Sequence, residues 1–142
     1  MDSHMTQPRI DSLLVIDKDP LLGLMLSKLL EVEATHISSF REIESLSDEF
    51  RPSGVFLGFS LMDDVMPREC GKIRSRWPDA PVIVIVDGFE SEIQIRALAL
   101  AGVEDFIKKP FTAYEVKARF LARQAVRLKH SLKKLLFLQI QN

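Results

Sequence analysis

"SLLVIDKDPLLGLMLSKLLE", Ser12–Glu31, is the stretch whose reading decides the fold. Its first third is a short, uninterrupted apolar run closed by acids, the pattern of a strand buried on both faces of a parallel sheet; a half-exposed strand would alternate. The remainder places Leu22, Leu26, Leu29 and Leu30 at helical spacing behind Pro20, a residue favoured at helix starts. A buried strand running straight into an amphipathic helix is the unit from which α/β sheets are built.

The same alternation continues downstream. "ATHISSF" (34–40) reads as a weaker strand, and Ser39 with Glu42 as a capping box opening a short helix through 41–50. Arg51-Pro52-Ser53-Gly54 interrupts the chain before a third strand, "VFLGF", and a helical stretch follows to Trp77. "VIVIV" (82–86) is the most β-branched run. "ESEIQIRALALAG" (90–102) is a helix with Ile93, Ala97, Leu98 and Ala101 on one side and Gly102 as its stop. "EDFIKKP" (104–110) is a fifth strand, and Thr112 with Glu115 caps a last helix. Five strands alternating with five helices predict a doubly wound five-stranded parallel sheet, flavodoxin-like in class. Ligands of such sheets bind beyond the carboxyl ends of the strands, so function rests on the loops after Asp17, Gly58, Val86 and Lys108.

The 142 residues are 46% hydrophobic and 27% charged, enough for one domain with its own core. The expected limits are 10–125 for the domain, 126–142 for a helical extension towards an output domain, and 1–9 for a disordered start carrying a cloning scar, "MDSHM". A lone Cys70 rules out an internal disulfide, and no Cys and His residues fall at metal-ligand spacing. No apolar run approaches the roughly 18 residues of a membrane span, and no secretory signal opens the chain, so a cytoplasmic location without membrane contact is expected. Net charge is -1, but all 20 acids lie at or before Glu115 and residues 116–142 carry seven basic residues and no acid.

In "LLVIDKDP", "RPSGVFLG", "PVIVIVDG" and "ALALAGVEDFIKKPF", and in their order, the chain resembles the receiver domain of two-component response regulators. That resemblance implies phosphoryl transfer from a donor such as a histidine kinase onto an aspartate at the end of strand three. Two acids after strand one would hold Mg²⁺, a hydroxyl residue after strand four would bond the phosphoryl group, and a lysine after strand five would neutralise charge. Carried over, Asp17 matches the first acid, Lys18 stands where the second belongs, and Asp19 is a neighbouring carboxylate. Pro52 to Gly58, Gly58 to Val86 and Val86 to Lys109 are 6, 28 and 23 residues apart, which sets Gly58 at the acceptor position, Val86 at the hydroxyl position and Lys109 at the lysine. Valine donates no hydrogen bond and glycine carries no nucleophile. Asp63 and Asp64, in the inviting context "DDVMP", are the rival acceptors, but Asp63 leaves only 23 residues before Val86 for the intervening helix. Phe106 falls at an aromatic switch position of the family, with an ordinary sheet residue as its plainer reading.

The pocket that remains, Asp17, Lys18, Asp19, Asp87 and Lys109, is expected to be degenerate, with Mg²⁺ binding weak or absent and Lys18 or Lys109 ion-paired to Asp17, Asp19 or Asp87. In the tail, Phe111, Tyr114, Ala118, Leu121, Ala125, Leu128, Leu132, Leu135 and Gln139 step alternately by 3 and 4, an a/d seam. Tyr114 and Ala118 are expected to face the domain core, and Leu121, Ala125, Leu128, Leu132 and Leu135 to pair in parallel with a second copy as a coiled coil. The expected function is a non-enzymatic phosphorelay signalling module, a pseudo-receiver acting through protein contacts and dimerisation. The alternatives are a working acceptor at Asp63 or Asp64 with Mg²⁺, and binding of a small anion or nucleic acid; the acidic body and lack of a recognition motif disfavour nucleic acid.

Overall fold

The computed structural model describes residues 12–58, 65–88 and 90–141. Five strands are present: β1 (Leu13–Ile16), β2 (Ala34–Ile37), β3 (Gly54–Gly58), β4 (Val82–Val86) and β5 (Asp105–Lys108). They form one sheet in the order β2-β1-β3-β4-β5, with every neighbouring pair parallel. Helices α1 (Leu21–Leu30), α2 (Met66–Arg76), α3 (Glu92–Leu100) and α4 (Ala113–Gln141) connect or follow the strands.

β1, β3 and β4 are buried at every position, as their unbroken apolar runs predict. Successive side chains serve opposite faces. Leu14, Ile16, Val55, Leu57, Val82 and Val84 pack with Met66, Cys70, Ile73 and Trp77 of the α2 side and with Leu98 of α3. Leu13, Val15, Phe56, Ile83, Ile85 and Ile107 pack with Leu22 and Leu26 of α1 and with Val116 and Phe120 of α4. Gly54 is required beneath α4, because a Cβ there would collide with the Phe120 ring. Burial pushes the Cys70 thiol up to about 12, so it stays protonated and unreactive at neutral pH. Among the described residues no helix is long and apolar enough to cross a membrane.

Several expectations are corrected. The second helix is a six-residue 3-10 segment, Phe40–Ser45, and its capping box does not form: the Ser39 hydroxyl makes no cap bond, while the Glu42 carboxylate reaches back to the Ser38 amide at 2.8 Å. The Thr112 half of the other box forms, its hydroxyl accepting from the Glu115 amide at 3.0 Å. α3 does carry a full capping box, Ser91 with Gln94, and it buries Leu98 while Ile93 is 81% exposed. Tyr114 and Ala118 do not face the core; Tyr114 is 82% exposed. The face of α4 that meets the sheet is set by Val116 and Phe120, one turn apart, and the 3-4 apolar seam lies on a different side of the helix.

Candidate functional site

The strand order reverses direction between β1 and β3, where Ile16 and Leu57 are register partners, so Asp17 and Gly58 stand side by side at the switch point. Asp17 is 5% exposed. Its amide donates to the Ile37 carbonyl at 3.1 Å, and its carbonyl accepts from His36 Nε2 at 2.7 Å. These two bonds fix its backbone, and the side chain then lies across the Cα of Gly58. A Cβ at position 58 would run into the Oδ1, Cγ and Cβ of Asp17. The space beside the end of β3 is therefore filled from β1.

The other groups at this end of the sheet turn to partners of their own. Asp19 Oδ1 accepts from the amide of Leu21, the first residue of α1, at 2.9 Å, where a carboxylate is favoured by the helix dipole. Lys18, between the two acids, is exposed. Val86 is buried and in register with Lys108. After β4 the amides of Asp87 and Gly88 both donate to one carboxylate, that of Glu90, each at 2.9 Å, with Gly88 at φ 96°. Successive N–H groups converging in this way form an anion nest, and here the anion is a side chain of the same loop. Lys109 Nζ is 3.9 Å from Asp87 Oδ1, both side chains being nearly half exposed, which makes this a weak pair. Lys109-Pro110 is a cis peptide.

Of the ion pairs expected in this pocket, that of Lys109 with Asp87 forms; the Asp19 carboxylate also serves the start of α1, and the Asp17 side chain packs on Gly58. Phe106 lies mid-strand opposite Val84 and half-buried against the α2–α3 side of the core. Asp63 and Asp64 lie outside the described residues. Leu121, Leu128, Leu132 and Leu135 are 52 to 62% exposed and Ala125 is exposed beside them. Sequence reasoning missed Glu90; an acid following Asp-Gly just past a buried strand was its only signal. Three of the seven basic residues of the tail turn back onto the domain: Arg119 and Arg123 pair with Asp105, and Arg127 with Glu104.

A divalent cation of the Mg²⁺ type needs several oxygen ligands at one point. Among the described residues no three potential ligating side chains gather. Asp17 is turned onto Gly58, Asp19 onto a helix amide, and the residue between them is a cation, so these residues do not fit the ion.

No family profile matches the chain. It is 32% identical over 114 residues to a probable transcriptional regulatory protein, TcrX, of Mycobacterium tuberculosis, an alignment covering 78% of this chain and 48% of that protein. The chain thus spans about half the length of that relative. Among solved structures, a CheY-like response regulator receiver domain from Methanospirillum hungatei superposes with TM-score 0.72 at 16% identity, over 84% of this chain and 98% of that one. An adenylate cyclase structure from Rhodopirellula baltica gives TM-score 0.72 at 20% identity, over 89% and 96%. The fold is the flavodoxin-like receiver fold, with a long last helix of 29 residues.

Because Asp17 fills the volume at Gly58, Gly58→Asp alone should destabilise the domain by about 1–3 kcal/mol in urea unfolding, through overpacking and a second carboxylate in one site. Asp17→Ala with Gly58→Asp should recover part of that loss; additive losses would mean that the two positions do not share the space.

Proposed function

We propose that the chain is a receiver-like signalling module of the two-component type that is not itself phosphorylated. The carrying observation is Asp17 lying in the space where a side chain at the end of β3 would stand. A phosphoryl-accepting site needs a free carboxylate, a metal beside it and donors for the phosphoryl oxygens. Here the end of β3 is a glycine, the residue after Asp17 is a cation, Val86 has no hydroxyl, and the nest after β4 is filled by Glu90. In this reading the module holds one state and transmits it through protein contacts, without Mg²⁺ or any other cofactor and without enzymatic activity, in the cytoplasm. A histidine kinase or another signalling protein is the expected class of upstream partner. The likeness to receiver folds and to a transcriptional regulator supports a regulatory role; the output belongs to a domain following α4 or to a partner protein.

Incubation with acetyl phosphate and Mg²⁺, followed by intact mass measurement, is expected to show no gain of a phosphoryl group. A gain abolished by Asp63→Asn or Asp64→Asn would replace this reading with that of a working acceptor displaced into the loop after β3.

The second element of the proposal is self-association. The seam from Tyr114 to Leu135 is open to solvent along its whole length, and helices with apolar residues at 3-4 spacing over several heptads bury them against one another. A parallel pair of α4 helices would cover Leu121, Ala125, Leu128, Leu132 and Leu135. Light scattering should give a dimer for the full chain and a monomer after removal of residues 126–142; a monomer in both cases removes the coiled coil from the proposal.

A further inference from the structure

At the opposite end of the sheet, where β5 begins, a second group of charges is partly withdrawn from water. Glu104 stands just before β5. Arg127 of α4 grips its carboxylate as a fork, Nη2 to Oε1 at 2.7 Å and Nε to Oε2 at 3.0 Å. Arg74, in the last turn of α2, gives Nη1 to the same Oε1 at 2.9 Å and to the Gly102 carbonyl at 3.0 Å. The Val82 amide, at the start of β4, is a further donor to Oε1 at 3.2 Å. These side chains are only 16 to 26% exposed, so their attraction is screened less than that of surface pairs.

The arrangement is unequal. Oε1 receives three donors although a carboxylate oxygen offers two lone pairs, while Arg74 Nε is buried with no hydrogen-bond partner. A buried donor left without a partner is costly, and the fork geometry that would satisfy it is the one Arg127 holds. Two guanidinium groups from two helices therefore share one carboxylate, and only that of Arg127 holds it as a fork. Burial and the neighbouring charge of Arg127 both act to lower the pKa of Arg74, and Glu104 opposes them.

The shared carboxylate matters because of what else holds α4. Val116 and Phe120 are its last buried apolar residues among those described; from Leu121 onward its apolar side chains are exposed. Beyond that point the helix meets the domain through polar contacts: Arg123 with Asp105 at 3.4 Å, Gln124 with the Ser53 carbonyl at 3.3 Å, the Arg127 fork, and Ser131 with Asp79 at 3.2 Å. A cleft of about 630 Å³, bordered by Pro52, Asp79, Gln124 and Ser131, separates this part of the helix from the domain. The fork is the shortest and least exposed of these contacts.

We propose that Glu104 is a two-position latch: paired with Arg127 it fixes the direction in which α4 leaves the domain, and paired as a fork with Arg74 it releases the helix. α2 is the lever. It runs from Met66, on the side where β3 ends, to Arg76, a span of about 16 Å at 1.5 Å per residue, and carries Arg74 near its far end. A displacement of α2 changes how well Arg74 competes, and the outcome is read in the direction of α4. The latch acts whether or not the strand ends bind anything, so it stands apart from the phosphorylation reading.

The test uses the full chain with spin labels at Glu44→Cys and Lys133→Cys, diluted in unlabelled protein so that only distances within one chain register; Cys70 is buried and takes no label. The expected result is one narrow distance for the parent, a broad distribution for Glu104→Gln and for Arg127→Met, and a narrow one for Arg74→Met, which removes the competitor and its bond to the Gly102 carbonyl but leaves the Arg127 fork in place. Arg127→Met leaves every buried apolar contact in place, so it keeps the test valid should Glu104→Gln unfold. In Arg127→Met the Arg74 Nε–H resonance should move downfield as it gains Glu104. Narrow distributions in both Glu104→Gln and Arg127→Met would overturn the latch, and an unmoved Arg74 Nε–H signal would overturn its second position.

Discussion

The burial of β1, β3 and β4 on both faces is the constraint from which the rest follows. Strands with apolar residues at every position leave no place for polar chemistry within the sheet, and charged groups are displaced to the two ends of the strands. At the carboxyl end they surround the switch point between β1 and β3; at the amino end they gather where β5 begins beside α2 and α4. The two ends behave differently. The first is closed by contacts within and between the strand-end loops, and the second ties two helices to the start of β5.

Closure at the carboxyl end is a matter of volume as much as of charge. The backbone of Asp17 is held by two hydrogen bonds to β2, and its side chain lies over the Cα of Gly58. Asp19 and Glu90 satisfy backbone amides that would otherwise face solvent or a ligand. A pocket built for an exchangeable anion leaves such amides available; this one supplies a carboxylate from within the chain.

Much of this was legible in the sequence, for identifiable reasons. Continuous apolar runs mark buried parallel strands, so the five strands and their class could be read directly, and counting from Pro52 placed Gly58 at the end of β3. Periodicity gave the length of α4 but not its phase against the sheet. Two apolar stripes run along that helix, and only packing distinguishes Val116 and Phe120 from Tyr114 and Ala118. The roles of Glu90, Glu104 and Asp105 were not legible, because each depends on a partner fixed by tertiary structure: two backbone amides in a turn for Glu90, and arginines 14 to 30 residues away for the other two.

Together these features describe a module whose strand ends are internally satisfied and whose long helix is aimed by an ion-pair cluster at the other end of the sheet. The central claim is that the strand ends take neither metal nor phosphoryl analogue. The most direct measurement is the backbone amide spectrum of the chain during titration with Mg²⁺, alone and with beryllium fluoride. No saturable change at Asp17, Lys18, Gly58, Asp87 or Gly88 is the predicted result; a saturable shift at these amides that requires both Mg²⁺ and beryllium fluoride would contradict it.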